Sequence, residues 1–121
     1  MSLCLAAGAL VVVLGHGEIT LGWRHSVQKT LWEEVWRETP AGLELAEARI
    51  EGSGAGMDPP EGARLIDGFW RWHPALPPLK EVVMRRSGAT ADWRICIAGQ
   101  CRPMGDYLPA DADPVTLKLC E

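Results

Sequence analysis

Residues 23–34 (WRHSVQKTLWEE) bring together the side-chain types that nucleophilic and acid–base catalysis use. A serine hydrolase needs a histidine that accepts the serine proton and a carboxylate that orients the histidine. Here His25 and Ser26 are adjacent, and consecutive residues of an extended strand point to opposite faces. The flanking glycines of a nucleophile elbow are also missing. The sequence therefore disfavours a serine–histidine catalytic centre.

The carboxylate of Glu34 offers His25 a different partner, across a hairpin. A four-residue loop after Val27 would place His25 opposite Glu34 and Trp23 opposite Trp36 on neighbouring strands. A carboxylate beside an imidazole raises the imidazole pKa, and the indole rings would shield the pair from water. Such a pair suits a buried polar contact in a tryptophan-rich core, part of a binding site, or a general acid–base pair. The sequence leaves these three roles open.

A glycine-rich stretch, residues 52–60 (GSGAGMDPP), is the second candidate for chemistry. The backbone N–H groups of Gly54, Ala55 and Gly56 could converge on an anion or a carboxylate, as they do in backbone nests. A nucleotide loop is disfavoured, because the Lys-Ser/Thr pair of a P-loop is missing and two prolines stand where its helix would begin. The alternative is a loop whose glycines only permit positive φ.

These residues must be positioned by β-strands, because apolar and polar side chains alternate along much of the chain. Residues 18–27 alternate as a half-buried strand does, whereas residues 31–38 fit either a helical stripe or a strand face. Further strand-like runs lie between proline, glycine and aspartate residues, at 43–50, 69–73, 81–85, 93–97 and 115–119. The pattern predicts a small all-β fold, an antiparallel β-sandwich or barrel with short strands and a long Gly/Pro-rich loop.

An apolar run covers residues 3–14. As a helix it is too short to cross a bilayer, and it lacks the basic flank and the cleavage site of an export signal. We predict a buried first strand over Leu10 to Leu14, ended by a turn at residues 15–17. A truncated or atypical export signal is the alternative.

The four cysteines are spaced for disulfides. A two-residue Ala-Gly turn would put Cys96 directly opposite Cys101 in a tight hairpin, close enough to bridge. A disulfide is favoured over free thiols here, and zinc is disfavoured because no second Cys/His pair lies nearby. Cys4 and Cys120 would form a second bridge if the two terminal segments are neighbouring strands.

Size and charge limit the function classes. A chain of 121 residues suits one β-rich domain over residues 1–121, with a core of ordinary size. Its 12 Lys and Arg residues are scattered and its net charge is −4, so we expect no nucleic-acid partner. We also expect no cofactor, no metal site and no membrane-spanning segment.

Two motifs carry a resemblance to a known family. In chain order they are Trp23-x-His25-Ser26-Val27-x-Lys29-Thr30-x-x-x-Glu34 and Gly52-Ser53-Gly54-Ala55-Gly56-Met57. Together they resemble the bacterial domain of unknown function 1850 family, whose members are often encoded beside TRAP transporters of the TAXI type. The resemblance implies a strand rather than a helix over residues 30–36. It also implies an extracytoplasmic accessory role.

The leading hypothesis is therefore a periplasmic or otherwise extracytoplasmic accessory or binding protein of a TAXI-type TRAP system. Its partner would be a transporter component or the carboxylate-bearing solute. The predicted binding patch consists of His25, Ser26, Lys29, Glu34, Gly54, Ala55 and Gly56. A pocket lined by tryptophans would favour the solute, and an exposed patch would favour a protein partner. The alternatives are a hydrolase or isomerase with a His25/Glu34 acid–base pair, and a purely structural interaction domain.

Overall fold

The computed structural model describes residues 1–24, 30–52, 60–88 and 91–121. In this part of the chain the regular secondary structure is β-strand, apart from one short 3-10 helix at Met104–Asp106. The strands are β1 (Ser2–Ala7), β2 (Leu10–Gly15), β3 (Glu18–Arg24), β4 (Leu31–Thr39), β5 (Gly42–Glu51), β6 (Arg64–Ile66), β7 (Phe69–Trp72), β8 (Glu81–Met84), β9 (Arg94–Ile97), β10 (Gln100–Pro103) and β11 (Val115–Cys120). The all-β prediction is confirmed, and residues 31–38 form a strand.

The strands form two antiparallel sheets. Sheet A has four strands in the order β2-β1-β11-β8, and sheet B has seven in the order β10-β9-β3-β4-β5-β7-β6. Sheet A therefore combines strands from the two ends of the chain with β8, whereas sheet B is built from the middle. Neither sheet closes on itself, so the fold is a sandwich and not a barrel.

The core lies between the two sheets, and the central strands each turn an apolar side toward it. Along β3, Ile19 and Leu21 are buried while Glu18 and Thr20 are not, as the alternation of side chains in a strand requires. Sheet A supplies buried residues from β1 and β11, and the 3-10 helix supplies Met104. The largest core side chains are Leu3, Leu5, Ile19, Leu21, Trp36, Leu43, Leu45, Met84, Ile95, Met104 and Leu117.

The N-terminal apolar run differs from its prediction. It forms a hairpin whose two-residue turn begins at Gly8, with φ +58°, and not one buried strand. The buried strand is β1, and β2 lies at the edge of sheet A with Leu10, Val11 and Val13 exposed. The prediction was wrong because a continuous apolar run does not show where a turn divides it. In the described residues no helix is long and apolar enough to span a membrane.

The register between β3 and β4 also differs from its prediction. Trp23 lies opposite Trp32 and Leu21 lies opposite Glu34, so the predicted pairing of Trp23 with Trp36 is wrong. The observed register places Trp36 beside Ile19, and both side chains are buried in the core, which stabilises the fold. The shift is an even number of positions, so these side chains still point to the predicted face.

Both cysteine pairings are confirmed. Cys96 lies opposite Cys101 across the β9–β10 turn, whose two residues have φ values of +52° and +79°, and the two cysteines form a disulfide. Cys4 and Cys120 form a second disulfide between β1 and β11, with their Cα atoms 6.1 Å apart. The first bridge fixes a hairpin, and the second joins the ends of the chain.

Candidate functional site

Most of the predicted binding patch cannot be placed. His25, Ser26 and Lys29, like Gly54, Ala55 and Gly56, lie outside the described residues. Only Glu34 of that patch is described, and its neighbour across the hairpin is Leu21. The predicted register, with Glu34 opposite His25, is therefore wrong, whereas the predicted acid–base pair involves His25 and lies outside the described residues.

The described residues next to both motif stretches lie at one end of sheet B. Arg24 ends β3, Leu31 begins β4 and Glu51 ends β5. One Glu51 carboxylate oxygen accepts a hydrogen bond from the Leu31 N–H at 2.5 Å and lies 3.5 Å from an Arg24 guanidinium nitrogen. Glu51 thus ties together the strand ends from which residues 25–29 and residues 53–59 depart.

Glu34 is an acidic group on the inner, largely apolar face of sheet B. Its neighbours on the adjoining strands are Leu21 and Ala48, both buried. Burial raises the pKa of Glu34, and a hydrogen bond from the Trp36 indole N–H at 3.3 Å opposes that rise. The site therefore holds a half-buried carboxyl group that keeps its proton to higher pH than an exposed glutamate.

Beside Glu34 the inner face of sheet B is lined by tryptophans. The chain has six, of which Trp36 is buried and Trp23, Trp32, Trp70, Trp72 and Trp93 are half-buried. Trp23 stacks on Trp32 with 6.1 Å between ring centroids, and its ring centroid is 5.0 Å from that of Trp93. These rings form an aromatic surface next to the core that offers apolar ring faces to a partner. The indole N–H groups of Trp32 and Trp93 already donate hydrogen bonds, to the Thr30 hydroxyl and the Arg85 carbonyl oxygen.

A cleft opens where the tryptophan surface meets the edge formed by β9 and β10. It has a volume of about 280 Å³, and Trp23 and Trp93 form its aromatic wall. Arg24, Arg94 and Arg102 also line it, and all three are exposed. We name this feature the arginine–tryptophan cleft.

The charges around the arginine–tryptophan cleft are unequal. Its acidic lining residue, Asp92, accepts hydrogen bonds from Nε and Nη2 of Arg86, at 3.1 and 2.7 Å. Desolvation alone would raise the Asp92 pKa, but hydrogen bonds from Arg86 and the Trp93 N–H outweigh it and lower that pKa. Arg102 has no ion pair within the described part of the chain. Arg24 and Arg94 each pair with a glutamate, Glu51 and Glu33, so the excess positive charge beside the aromatic rings comes from Arg102.

The chain was compared with family models, curated proteins and solved structures. The model of the family described as "Domain of unknown function (DUF1850)" matches residues 19–104. The chain belongs to the DUF1850 family. No curated protein and no solved structure gives a match. The resemblance predicted from the two motifs is thus confirmed.

The DUF1850 match covers the parts of the molecule that form the site. Residues 19–104 include nearly all of sheet B, all six tryptophans and the three arginines of the arginine–tryptophan cleft. Strands β1, β2 and β11, which build most of sheet A, lie outside the match. The family region therefore carries the candidate site, and the rest supplies the covering sheet.

The outer face of the DUF1850 sheet B carries a row of paired charges. Glu33, which is 8% exposed, lies between Arg49 at 3.5 Å and Arg94 at 3.4 Å. Glu47 continues the row, at 3.4 Å from Arg49 and 3.2 Å from Arg71. The Nε atom of Arg49 is buried and within ion-pair distance of both carboxylates, although neither contact has hydrogen-bond geometry. The row thus pairs two glutamates with three arginines, on the strands β4, β5, β7 and β9.

Sequence reasoning missed the arginine–tryptophan cleft and the charged row for different reasons. The cleft joins Trp23 to Trp93 and Arg102, which are far apart in sequence and meet only because β9 pairs with β3. The charged row had a local signal, since Glu33 and Arg49 occupy the polar positions of alternating strands. Their side-by-side register was not predictable from the alternation alone.

Proposed function

We propose that this DUF1850 protein is an extracytoplasmic binding protein that acts with a TAXI-type TRAP transporter and holds a carboxylate-bearing solute in the arginine–tryptophan cleft. The observation that carries the proposal is the cleft itself, in which exposed arginines lie beside two tryptophan rings. The transporter association comes from the family resemblance.

The chemistry of the cleft suits an organic carboxylate. A guanidinium group presents two parallel N–H donors that match the two oxygens of a carboxylate. Arg102, which makes no ion pair with any described residue, can use both. The rings of Trp23 and Trp93 offer apolar contact to the carbon skeleton of the ligand. A volume of about 280 Å³ is at the small end of ligand sites, which favours a small solute.

Two disulfides support the extracytoplasmic part of the proposal. Disulfides persist in oxidising compartments and are rare in the cytosol of mesophiles. Both bridges join strands of the folded sandwich, Cys4 with Cys120 and Cys96 with Cys101. A periplasmic protein beside a transporter would meet the solute before it crosses the membrane.

Calorimetric titration tests the solute proposal directly. The probes are acetate, succinate and benzoate, each compared with its neutral amide, on the full chain. We expect saturable binding of at least one carboxylate, weaker binding of the amides, and an affinity loss of about ten-fold in Arg102→Gln, as for a lost charge-assisted hydrogen bond. Arg64→Gln, at the opposite edge of sheet B, is the matched control and should bind as the parent does.

Two results would contradict the solute proposal. One is the absence of saturable binding for every carboxylate probe. The other is an equal loss of affinity in Arg102→Gln and Arg64→Gln, which would indicate nonspecific charge attraction.

The transporter association needs a separate experiment. Affinity capture with this protein as bait, from cells that express a TAXI-type TRAP transporter, should retain a transporter component. Trp32→Ala and Trp70→Ala test whether the tryptophan surface is the contact, with the exposed Leu76→Ala as control. If none of these variants changes the amount of transporter component captured, the contact lies elsewhere on the molecule.

A further inference from the structure

The β2 strand is an unusual sheet edge. Edge strands in soluble proteins are commonly protected by charge, proline or short length, because their free backbone groups can pair with another chain. The two edges of sheet B follow this rule, since β6 has three residues including Arg64, and β10 contains Arg102 and Pro103. In sheet A, β8 begins with Glu81. By contrast, β2 has six residues, none charged and none proline.

Within the described residues, the backbone groups of β2 that no neighbouring strand pairs belong to its two most exposed valines. A two-residue turn pairs Ala7 with Leu10, and in an antiparallel ladder hydrogen-bonded pairs then alternate with non-bonded pairs. The N–H and C=O groups of Leu10 and Val12 therefore face β1, and those of Val11 and Val13 face outward. The side chains of Val11 and Val13 are 53% and 62% exposed.

We infer that β2 is a dimerisation strand, which pairs antiparallel with β2 of a second copy of this chain around a two-fold axis at Val12. Val11 of each copy then lies opposite Val13 of the other, and each such pair exchanges two backbone hydrogen bonds. The two four-stranded A sheets join into one continuous sheet. The inference is independent of the proposed function.

A second copy fits this edge for two reasons. The strand is uncharged, so antiparallel pairing with itself brings no like charges together. The exposed valines at positions 11 and 13 also face the same side of the sheet, so the two-fold axis covers each valine with its counterpart. Such an interface is isologous and closes at two copies.

Pairing of β2 with the other edge of sheet A is the competing arrangement. That contact would join β2 of one copy to β8 of the next, and it would extend into an open polymer rather than a closed dimer. It would also place Glu81 against an uncharged strand. The mass of the assembly therefore distinguishes the two arrangements.

Sedimentation velocity of the full chain over a range of concentrations tests the inference. We expect a monomer–dimer equilibrium with no larger species. The double variant Val11→Lys/Val13→Lys places ammonium groups opposite one another, and it should weaken association by at least ten-fold while far-UV circular dichroism stays unchanged. The control is Val83→Lys, on the same face at the opposite edge and also 53% exposed, which should dimerise as the parent does.

A proline variant separates strand pairing from simple clustering of apolar side chains. Val13→Pro removes an outward N–H that only the dimer uses, so it should also weaken association by at least ten-fold. A monomeric parent at all concentrations would overturn the inference, as would loss of association in Val83→Lys. If Val13→Pro dimerised normally while the double lysine variant was monomeric, strand pairing would also be overturned.

Discussion

At the residue scale, adjacent glutamates on β4 have opposite surroundings. Glu33 lies on the outer face between two arginines, and Glu34 lies on the inner face among apolar side chains. Burial raises the pKa of Glu34, so its ionised form costs stability at neutral pH. We predict that Glu34→Gln increases the free energy of unfolding at pH 7, by up to about 1 kcal/mol.

The pH dependence of this gain has a definite sign. In the unfolded chain Glu34 ionises near its ordinary value of 4.5, whereas the folded protein keeps the proton to higher pH. The stability that the neutral carboxyl group contributes is complete below pH 4.5 and is lost as the pH rises through the folded pKa. Urea unfolding at pH 4 and pH 7 should therefore show the larger advantage of Glu34→Gln at pH 7.

Glu33→Gln is the matched control for Glu34→Gln. It leaves Arg49 and Arg94 without a full negative charge, and we expect a loss of about 1–3 kcal/mol at pH 7. A Glu34→Gln protein that is less stable than the parent at pH 7, or equally affected at both pH values, would contradict the burial argument.

The same two residues show what a single sequence can predict at this scale. Alternation places Glu34 on the face of Trp32 and Trp36 and Glu33 on the other, and the structure agrees. It did not predict that Leu21 rather than His25 lies opposite Glu34, because a side-chain period of two is satisfied by every even register. Nor did it predict the arginine–tryptophan cleft, whose residues meet only through long-range strand pairing.

At the element scale, the turn between β4 and β5 depends on a single glycine. Gly42 has φ +129°, and a Cβ atom at this position would lie 2.6 Å from the carbonyl oxygen of Leu79. That oxygen accepts a hydrogen bond from the Leu43 N–H at 2.7 Å, so it cannot move without loss of the contact. We predict that Gly42→Ala destabilises the fold by about 1–3 kcal/mol, measured by thermal unfolding.

Gly88→Ala is the control for Gly42→Ala, since no atom of the described residues lies within 4 Å of a Cβ atom there. It should leave stability unchanged or raise it slightly, by less than about 1 kcal/mol. Equal losses in the two variants would show that general glycine entropy, and not the approach to Leu79, sets the cost.

The sequence predicted which segments form strands better than it predicted where those strands begin and end. The alternation in β3 and the turn between β9 and β10 are local signals, and both elements formed as predicted. The apolar run over residues 3–14 carried no such alternation, so its division at Gly8 into a buried strand and an exposed edge was missed. The turn at Gly8 places β2 at the edge of sheet A, and it is from this edge that we infer dimerisation.

At the scale of the whole molecule, the family region depends on segments outside it for its cover. Sheet A buries the inner face of sheet B with residues such as Leu5 and Leu117, which lie in β1 and β11. These strands are separated by nearly the whole chain and are joined by pairing and by the Cys4–Cys120 disulfide. The stability of the sandwich should therefore depend strongly on this bridge.

The two disulfides should differ in what they contribute to stability. In the chain-entropy account a bridge stabilises more as the closed loop lengthens, and the sequence separations are 116 residues for Cys4–Cys120 and 5 for Cys96–Cys101. That account gives up to about 5 kcal/mol for the first bridge and about 2 kcal/mol for the second. Urea unfolding of Cys4→Ala/Cys120→Ala and of Cys96→Ala/Cys101→Ala should show the larger loss in the first variant. A larger loss in the second would mean that the hairpin, and not the junction of the chain ends, limits unfolding of the sandwich.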